Sequence, residues 1–255
     1  MSMLEVIPES TRGRGVQFMA AAAAIFVVLH FSGFHTLLAA DAEGIAALLA
    51  IIGTLYSVVY AFATYVIWGQ FAAVEDEILK ESGALKDLIL FSRPLKETKR
   101  DPMVRAVRGY ARAVVESEWG VLSRGEDTER TDKLFAAVIA SVTEITGENA
   151  EERSLHERLL EIANQASTHR DARLAISAKR MPRTLLLFVM LTAFAILFLL
   201  FLYPFHAVGL GIVAIALTTM LLFFAHFVLT DLDNPFEGTW NVNSHAFDEL
   251  ATKYR

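Results

Sequence analysis

Four stretches of this 255-residue chain contain no Asp, Glu, Lys or Arg: Val16 to Ala40, Ile45 to Gly69, Thr184 to Phe205 and His206 to Thr230. Each has about the twenty residues that a helix needs to cross a ~30 Å hydrocarbon layer. One Lys or Asp at mid-span would oppose insertion by roughly 3 kcal/mol, whereas each Leu, Ile or Phe favours it by only about 0.5 kcal/mol, so the uninterrupted absence of charge is a strong sign of a span. The sequence therefore predicts an all-α membrane protein with four transmembrane helices. Composition agrees: 54% hydrophobic residues and a mean hydropathy of +0.42 exceed what a soluble core requires. The surplus, including many phenylalanines, is left to face membrane lipids.

The cations set the expected orientation. Arg12 and Arg14 precede the first span, Lys253 and Arg255 end the chain, and every other Lys or Arg lies between positions 70 and 183. The short turns Asp41-Ala42-Glu43-Gly44 and Tyr203-Pro204-Phe205-His206 have none. The positive-inside rule thus places both termini and the long middle segment in the cytoplasm of a plasma or bacterial inner membrane, with the two turns outside. The expected organisation is an N-terminal tail with spans one and two (1–69), an inserted cytoplasmic helical domain (70–182), spans three and four (183–230) and a cytoplasmic C-terminal segment (231–255). Arg12, Arg14 and Ala40-Asp41-Ala42 also suggest a cleaved signal peptide. The apolar run of about 25 residues, well beyond the 7 to 15 of a signal core, argues for a retained span.

Inside the insert, helical spacing continues from span two through Val74, Ile78, Leu85, Leu88 and Ile89, and Ser92-Arg93-Pro94 is its expected stop. Asp101-Pro102 reads as the N-cap and first position of a second helix that ends near Trp119-Gly120. A third is expected from about Thr131 to Gly147, and a fourth from Asn149, with Glu152 three residues on as in a capping box, toward a break at Met181-Pro182. No strand pattern competes.

Several function classes are excluded. The net charge is −6 and no long basic run exists, which leaves nothing for nucleic acid. Without cysteine there is no disulfide, thiol catalysis or cysteine-ligated zinc. The chain has no phosphate loop, nucleophile elbow or H-E-x-x-H, so it is not read as an enzyme.

Two spans, a long helical insert, two more spans and then Asp231-Leu232-Asp233-Asn234-Pro235-Phe236-Glu237-Gly238 resemble the bestrophin-like family of bacterial membrane proteins, itself described by similarity to bestrophin anion channels. The pieces that carry the resemblance are the continuation of span two into Glu75 to Leu90, the Tyr110 to Glu118-Trp119 segment and the Asn-Pro-Phe run after span four. The resemblance implies a homo-oligomer, pentameric by analogy, that passes small inorganic ions through a central pore lined by span two. It also implies a calcium clasp, for which Asp231, Asp233, Asn234 and Glu237 are the matching candidates. Gly238-Thr239-Trp240-Asn241 replaces the acidic tract expected next. The alternative for this segment is an Asx-Pro turn that docks under the helical domain.

From the residues themselves, Gly53, Ser57, Tyr60 and Thr64 form a stripe of small and hydroxyl side chains along span two. Such a stripe either lines a weakly selective pore or lets helices pack closely. His226, near the end of span four, is an ionisable group inside the membrane and so a functional candidate, with a neutral histidine bonded to a neighbouring helix as the alternative. His30 and His35 are five apart, on different helical faces, which argues against a metal pair. The charges from Glu75 to Lys86 read as a solvated helix face, although in a ring of subunits these acids would attract cations. The competing functional class is a non-conducting membrane scaffold or sensor, and a cation-conducting channel is the remaining alternative.

Overall fold

The computed structural model describes residues 9–124 and 128–253. The first eight residues and Arg255 of the expected tails lie outside them. In chain order the helices are α1 (Glu9–Phe31), α2 (Phe34–Leu37), α3 (Ala42–Phe91), α4 (Glu97–Ala113), α5 (Trp119–Arg124), α6 (Glu129–Thr143), α7 (Ala150–Ser177), α8 (Arg183–Leu202), α9 (Val208–Leu232) and α10 (His245–Thr252). Among the described residues there is no strand. Four of the helices, α1, α3, α8 and α9, are long and apolar enough to cross a membrane. The four-span reading holds. The described residues divide into two compact units, 9–68 with 181–233, and 69–124 and 128–180 with 234–253. Helix α3, 50 residues without a break, contributes to both.

In the first unit α1 packs along α9, and two glycines set how closely. A Cβ at Gly211 would overlap the edge of the Phe26 ring, and one at Gly15 would come within 3.1 Å of the Phe223 ring. Phe26 is fully buried there with Ala22, Leu200 and Ile215. Small residues are how helices gain van der Waals contact where lipid offers no hydrophobic drive for association. Span one does not run unbroken to Ala40 as its composition predicts. The helix stops at Phe31, the Ser32 hydroxyl donates to the Leu29 carbonyl, and Gly33 turns at φ 77° before the single turn of α2. Only glycine takes that left-handed conformation without strain.

In the second unit, Leu85, Leu88, Val107, Val138, Leu159 and Phe247 draw α3, α4, α6, α7 and α10 around one core. Two boundaries differ from the sequence reading. Helix α4 begins at Glu97, not at Asp101-Pro102, and Pro102 lies inside it. The turn after α3 delivers the chain to Lys96, whose carbonyl accepts from Lys99 and Arg100 N–H, so the helix has already started when proline arrives. The cost is one backbone hydrogen bond rather than a broken helix. Helix α6 starts two residues before Thr131 and ends at Thr143, with Ile145 N–H bonding back to Val142. The start of α7 follows the sequence: Asn149 Oδ1 accepts from Glu152 N–H at 2.7 Å, and the Glu152 carboxylate accepts from Glu148 N–H at 3.0 Å. The chain leaves helix between Ser177 and Arg183, where Pro182 precedes α8.

The C-terminal segment belongs to this second core. Asn234 Oδ1 accepts from Phe236 N–H and the Asn234 carbonyl from Glu237 N–H, an Asx turn that leads Phe236 against Trp119, ring centroids 5.3 Å apart. Trp119 Nε1 donates to the Val242 carbonyl, and Phe247 of α10 is fully buried beside it.

Candidate functional site

The hydroxyl stripe of α3 does not face one way. Tyr60 Oη donates to the Ala225 carbonyl of α9 at 3.3 Å, so its ring packs within the unit. Ser57 is exposed and donates to the Gly53 carbonyl at 2.8 Å, while the partly exposed Thr64 donates to the Tyr60 carbonyl at 2.9 Å. Gly53 is partly exposed, with no neighbour near the place a side chain would fill. Beside Ser57 lies a second stripe that hydropathy could not single out within an apolar helix. Ile51, Leu55, Val58, Phe62 and Tyr65, spaced alternately four and three apart, are all exposed, Tyr65 by 77%. That spacing marks one face of the helix, open to lipid or to a neighbouring helix. Among the described residues nothing covers this face of α3, and it carries no charge.

His226 lines an open pocket of about 190 Å³ in the first unit, together with Phe18 of α1, Tyr56 of α3, Val189 and Leu197 of α8, and Phe223 of α9. Its Nδ1 is buried without a hydrogen-bond partner, as is the Thr219 hydroxyl on the same wall. A histidine bonded to a neighbouring helix, the alternative from sequence, is not what that nitrogen shows. The walls are otherwise apolar.

The four C-terminal candidates divide between the units. In the first, Asp233 Oδ1 accepts from Met181 N–H at 2.6 Å, next to Asp231 near the end of α9. In the second, Asn234 Oδ1 accepts from Arg180 Nη2, and Asn234 Nδ2 donates to Glu237 Oε2 at 3.2 Å. Calcium takes six to eight oxygens. Here Asp233 and Asn234 turn theirs to protein donors, and among the described residues no three His, Asp or Glu side chains are grouped as for a metal ion.

The reading of Glu75 to Lys86 as a solvated face needs correction at Glu81. Asp76 pairs with Lys80 at 2.5 Å on the surface, and Glu77 meets His169 Nδ1 at 2.8 Å, but Glu81 is fully buried. Its carboxylate accepts from Arg173 Nε at 2.6 Å and from Tyr110 Oη at 2.5 Å. Arg173 Nη1 lies 2.6 Å from Glu118, and Arg170 reaches Glu118 at 3.4 Å and Asp132 at 2.7 Å. The rings of Trp119 and Phe247 lie under the Arg173 guanidinium, those of Tyr110 and Phe135 under Arg170.

A wide π-helical turn, Val114–Glu118, makes this arrangement possible. Tyr110, Val114 and Glu118 are four apart, and such residues drift around an α-helix by about 40° per step. The wider turn offsets the drift and keeps all three buried. Burial and then the charge of Glu81 push the Tyr110 hydroxyl well above its usual pKa, so it stays a proton donor. Burial alone would pull Arg173 down, but the carboxylates of Glu81 and Glu118 more than offset it and hold the guanidinium charged. Glu81, Tyr110 and Glu118 all lie on the segments that carry the family resemblance. The two arginines were missed, because nothing local marks a cation on α7 as the partner of an acid 92 residues earlier.

Four apolar helices crossing a membrane, with a helical unit between the second and third, define a multi-pass all-α membrane protein. The chain belongs to the bestrophin-like family, whose bestrophin-like domain matches residues 16–247. It is similar in fold to crystal structures of variants of a bacterial bestrophin homolog from Klebsiella pneumoniae. One of these is 11% identical with a TM-score of 0.72, covering 93% of this chain and 98% of that one. Another is 10% identical with a TM-score of 0.71, over 96% of this chain and 97% of that one. No curated protein matches the sequence.

Proposed function

We propose that the chain is the subunit of a homo-oligomeric ion channel in the cell membrane, with the exposed face of α3 lining a central pore that passes small anions. Both termini and the helical unit lie on the cytoplasmic side in this reading, which the distribution of Lys and Arg supports. The observation that carries it is the bare face of α3, where an exposed apolar stripe runs beside Ser57 and no charge interrupts it. A ring of such helices gives a narrow apolar path with hydroxyls at its edge. Apolar constrictions gate by dewetting, and a weakly hydrated anion loses less there than a strongly hydrated cation.

Among the acids after span two, Asp76 pairs with Lys80, Glu77 with His169 and Glu81 with Arg173, whereas Glu75 and Asp87 are exposed, so the preference for anions rests on the family and not on these acids. The proposal is of a conduit, and family membership supports it.

The test is current through planar bilayers containing the purified full-length protein under a KCl gradient. Unitary currents that reverse near the chloride equilibrium potential, and that fall at least about tenfold in Ser57→Trp, are expected from an apolar constriction. Reversal near the potassium potential replaces the anion reading with a cation channel. Silence across salts and pH, with a monomer in detergent, turns the protein into a membrane scaffold.

A further inference from the structure

The sequence separates His30 and His35 onto different helical faces, and the structure reverses that. Because α1 ends at Phe31 and Gly33 turns back through a left-handed conformation, α2 folds His35 against the last turn of α1. The two Nδ1 atoms are 3.4 Å apart and the ring centroids 5.5 Å. His35 is buried and His30 half-buried, with Phe26 packed against both rings.

The hydrogen bonds fix the tautomers. His35 Nε2 lies 2.9 Å from the Phe201 carbonyl at the end of α8, and a carbonyl can only accept, so this nitrogen carries the proton. His35 Nδ1 is then a bare lone pair aimed at His30. In the resting pair His30 Nδ1 donates to it.

We propose that His30 and His35 form a two-histidine binding site for a late first-row divalent cation, of the zinc or copper class, at the end of the first unit built by the turns after α1 and α8. Three observations on this pair agree. Imidazole nitrogens are the ligands such ions prefer. Two nitrogens at about 2.0–2.1 Å from a tetrahedral ion stand roughly 3.3–3.4 Å apart, which is the Nδ1 spacing found here. A metal-bound histidine characteristically donates its second ring N–H to a carbonyl or carboxylate, as His35 does to Phe201.

Binding asks for two rearrangements: the His30 proton moves from Nδ1 to Nε2 through solvent, and the rings tilt by roughly 35° so that both Nδ1 lone pairs meet the ion, with no net proton released. Among the described residues no third His or acidic side chain joins the pair, which leaves the remaining positions to water or a small anion and makes the site exchangeable.

Isothermal titration of Zn²⁺ into the purified full-length protein, its affinity tag removed, tests the site. One ion per chain is expected, weakened at least about tenfold by His30→Gln and by His35→Ala, and unchanged by His245→Ala on the second unit. Electron paramagnetic resonance of Cu²⁺ on the unsubstituted protein should show two coordinated imidazole nitrogens, and it decides the matter even if His35→Ala does not fold. No binding, binding that survives both substitutions, or a single-nitrogen spectrum would overturn the site and leave the pair as a structural hydrogen bond.

Discussion

The two units differ in whether they bury charge. In the first, the hydroxyls of Thr54, Ser57, Thr64 and Thr230 donate to carbonyls of their own helix, three or four residues back, and no ionised side chain sits within an uncharged stretch. In the second, Glu81, Glu118, Arg170 and Arg173 lie together at 3% exposure or less. A helix in lipid must satisfy its polar groups locally because no water will do so. A core can hold charge, provided that every charge meets an opposite one with good geometry. A buried pair of this kind fixes which helices meet, which is its best-attested use.

That contrast predicts unequal responses to similar substitutions. The largest belongs to Arg173→Ala, which leaves Glu81 and Glu118 buried without their shared partner and should cost about 3–5 kcal/mol of stability, measured by denaturant unfolding in detergent. A change below about 1 kcal/mol would mean that the cluster is already wet. Tyr110→Phe removes one hydroxyl that donates to the buried Glu81 carboxylate, and about 1.5–3 kcal/mol should go with it. Asn149→Ala deletes the N-cap of α7, for which circular dichroism melts should report about 1 kcal/mol. The smallest effect is expected from Ser57→Ala. Its hydroxyl bonds only its own helix, so stability should move by less than about 0.5 kcal/mol. If Ser57→Ala cost as much as Tyr110→Phe, the distinction between the units would fail.

These same residues show what was legible in the sequence. The spans could be read because lipid excludes charge over a fixed length, and the start of α7 because Asn149 and Glu152 act within one turn. Glu81 was misplaced because its neighbours Asp76, Glu77 and Lys80 do face outward, and an acid on a charged helix looks alike whether its partner is water or Arg173. The meeting of His30 and His35 was hidden for another reason: their spacing was judged on an unbroken helix, and Gly33 breaks it. Likewise, which part of an apolar helix is left bare depends on how its neighbours pack, so the face from Ile51 to Tyr65 emerged only with the fold.

The most direct test of the channel reading uses the absence of cysteine from the chain. With Ser57→Cys and Ala63→Cys each as the single thiol, bilayer currents are recorded before and after a membrane-impermeant charged thiol reagent. Modification should block Ser57→Cys and leave Ala63→Cys unchanged, since Ala63 is fully buried on the opposite, packed side of α3. Block at Ala63→Cys with Ser57→Cys untouched, or no current from either, would contradict a pore along the bare face of that helix.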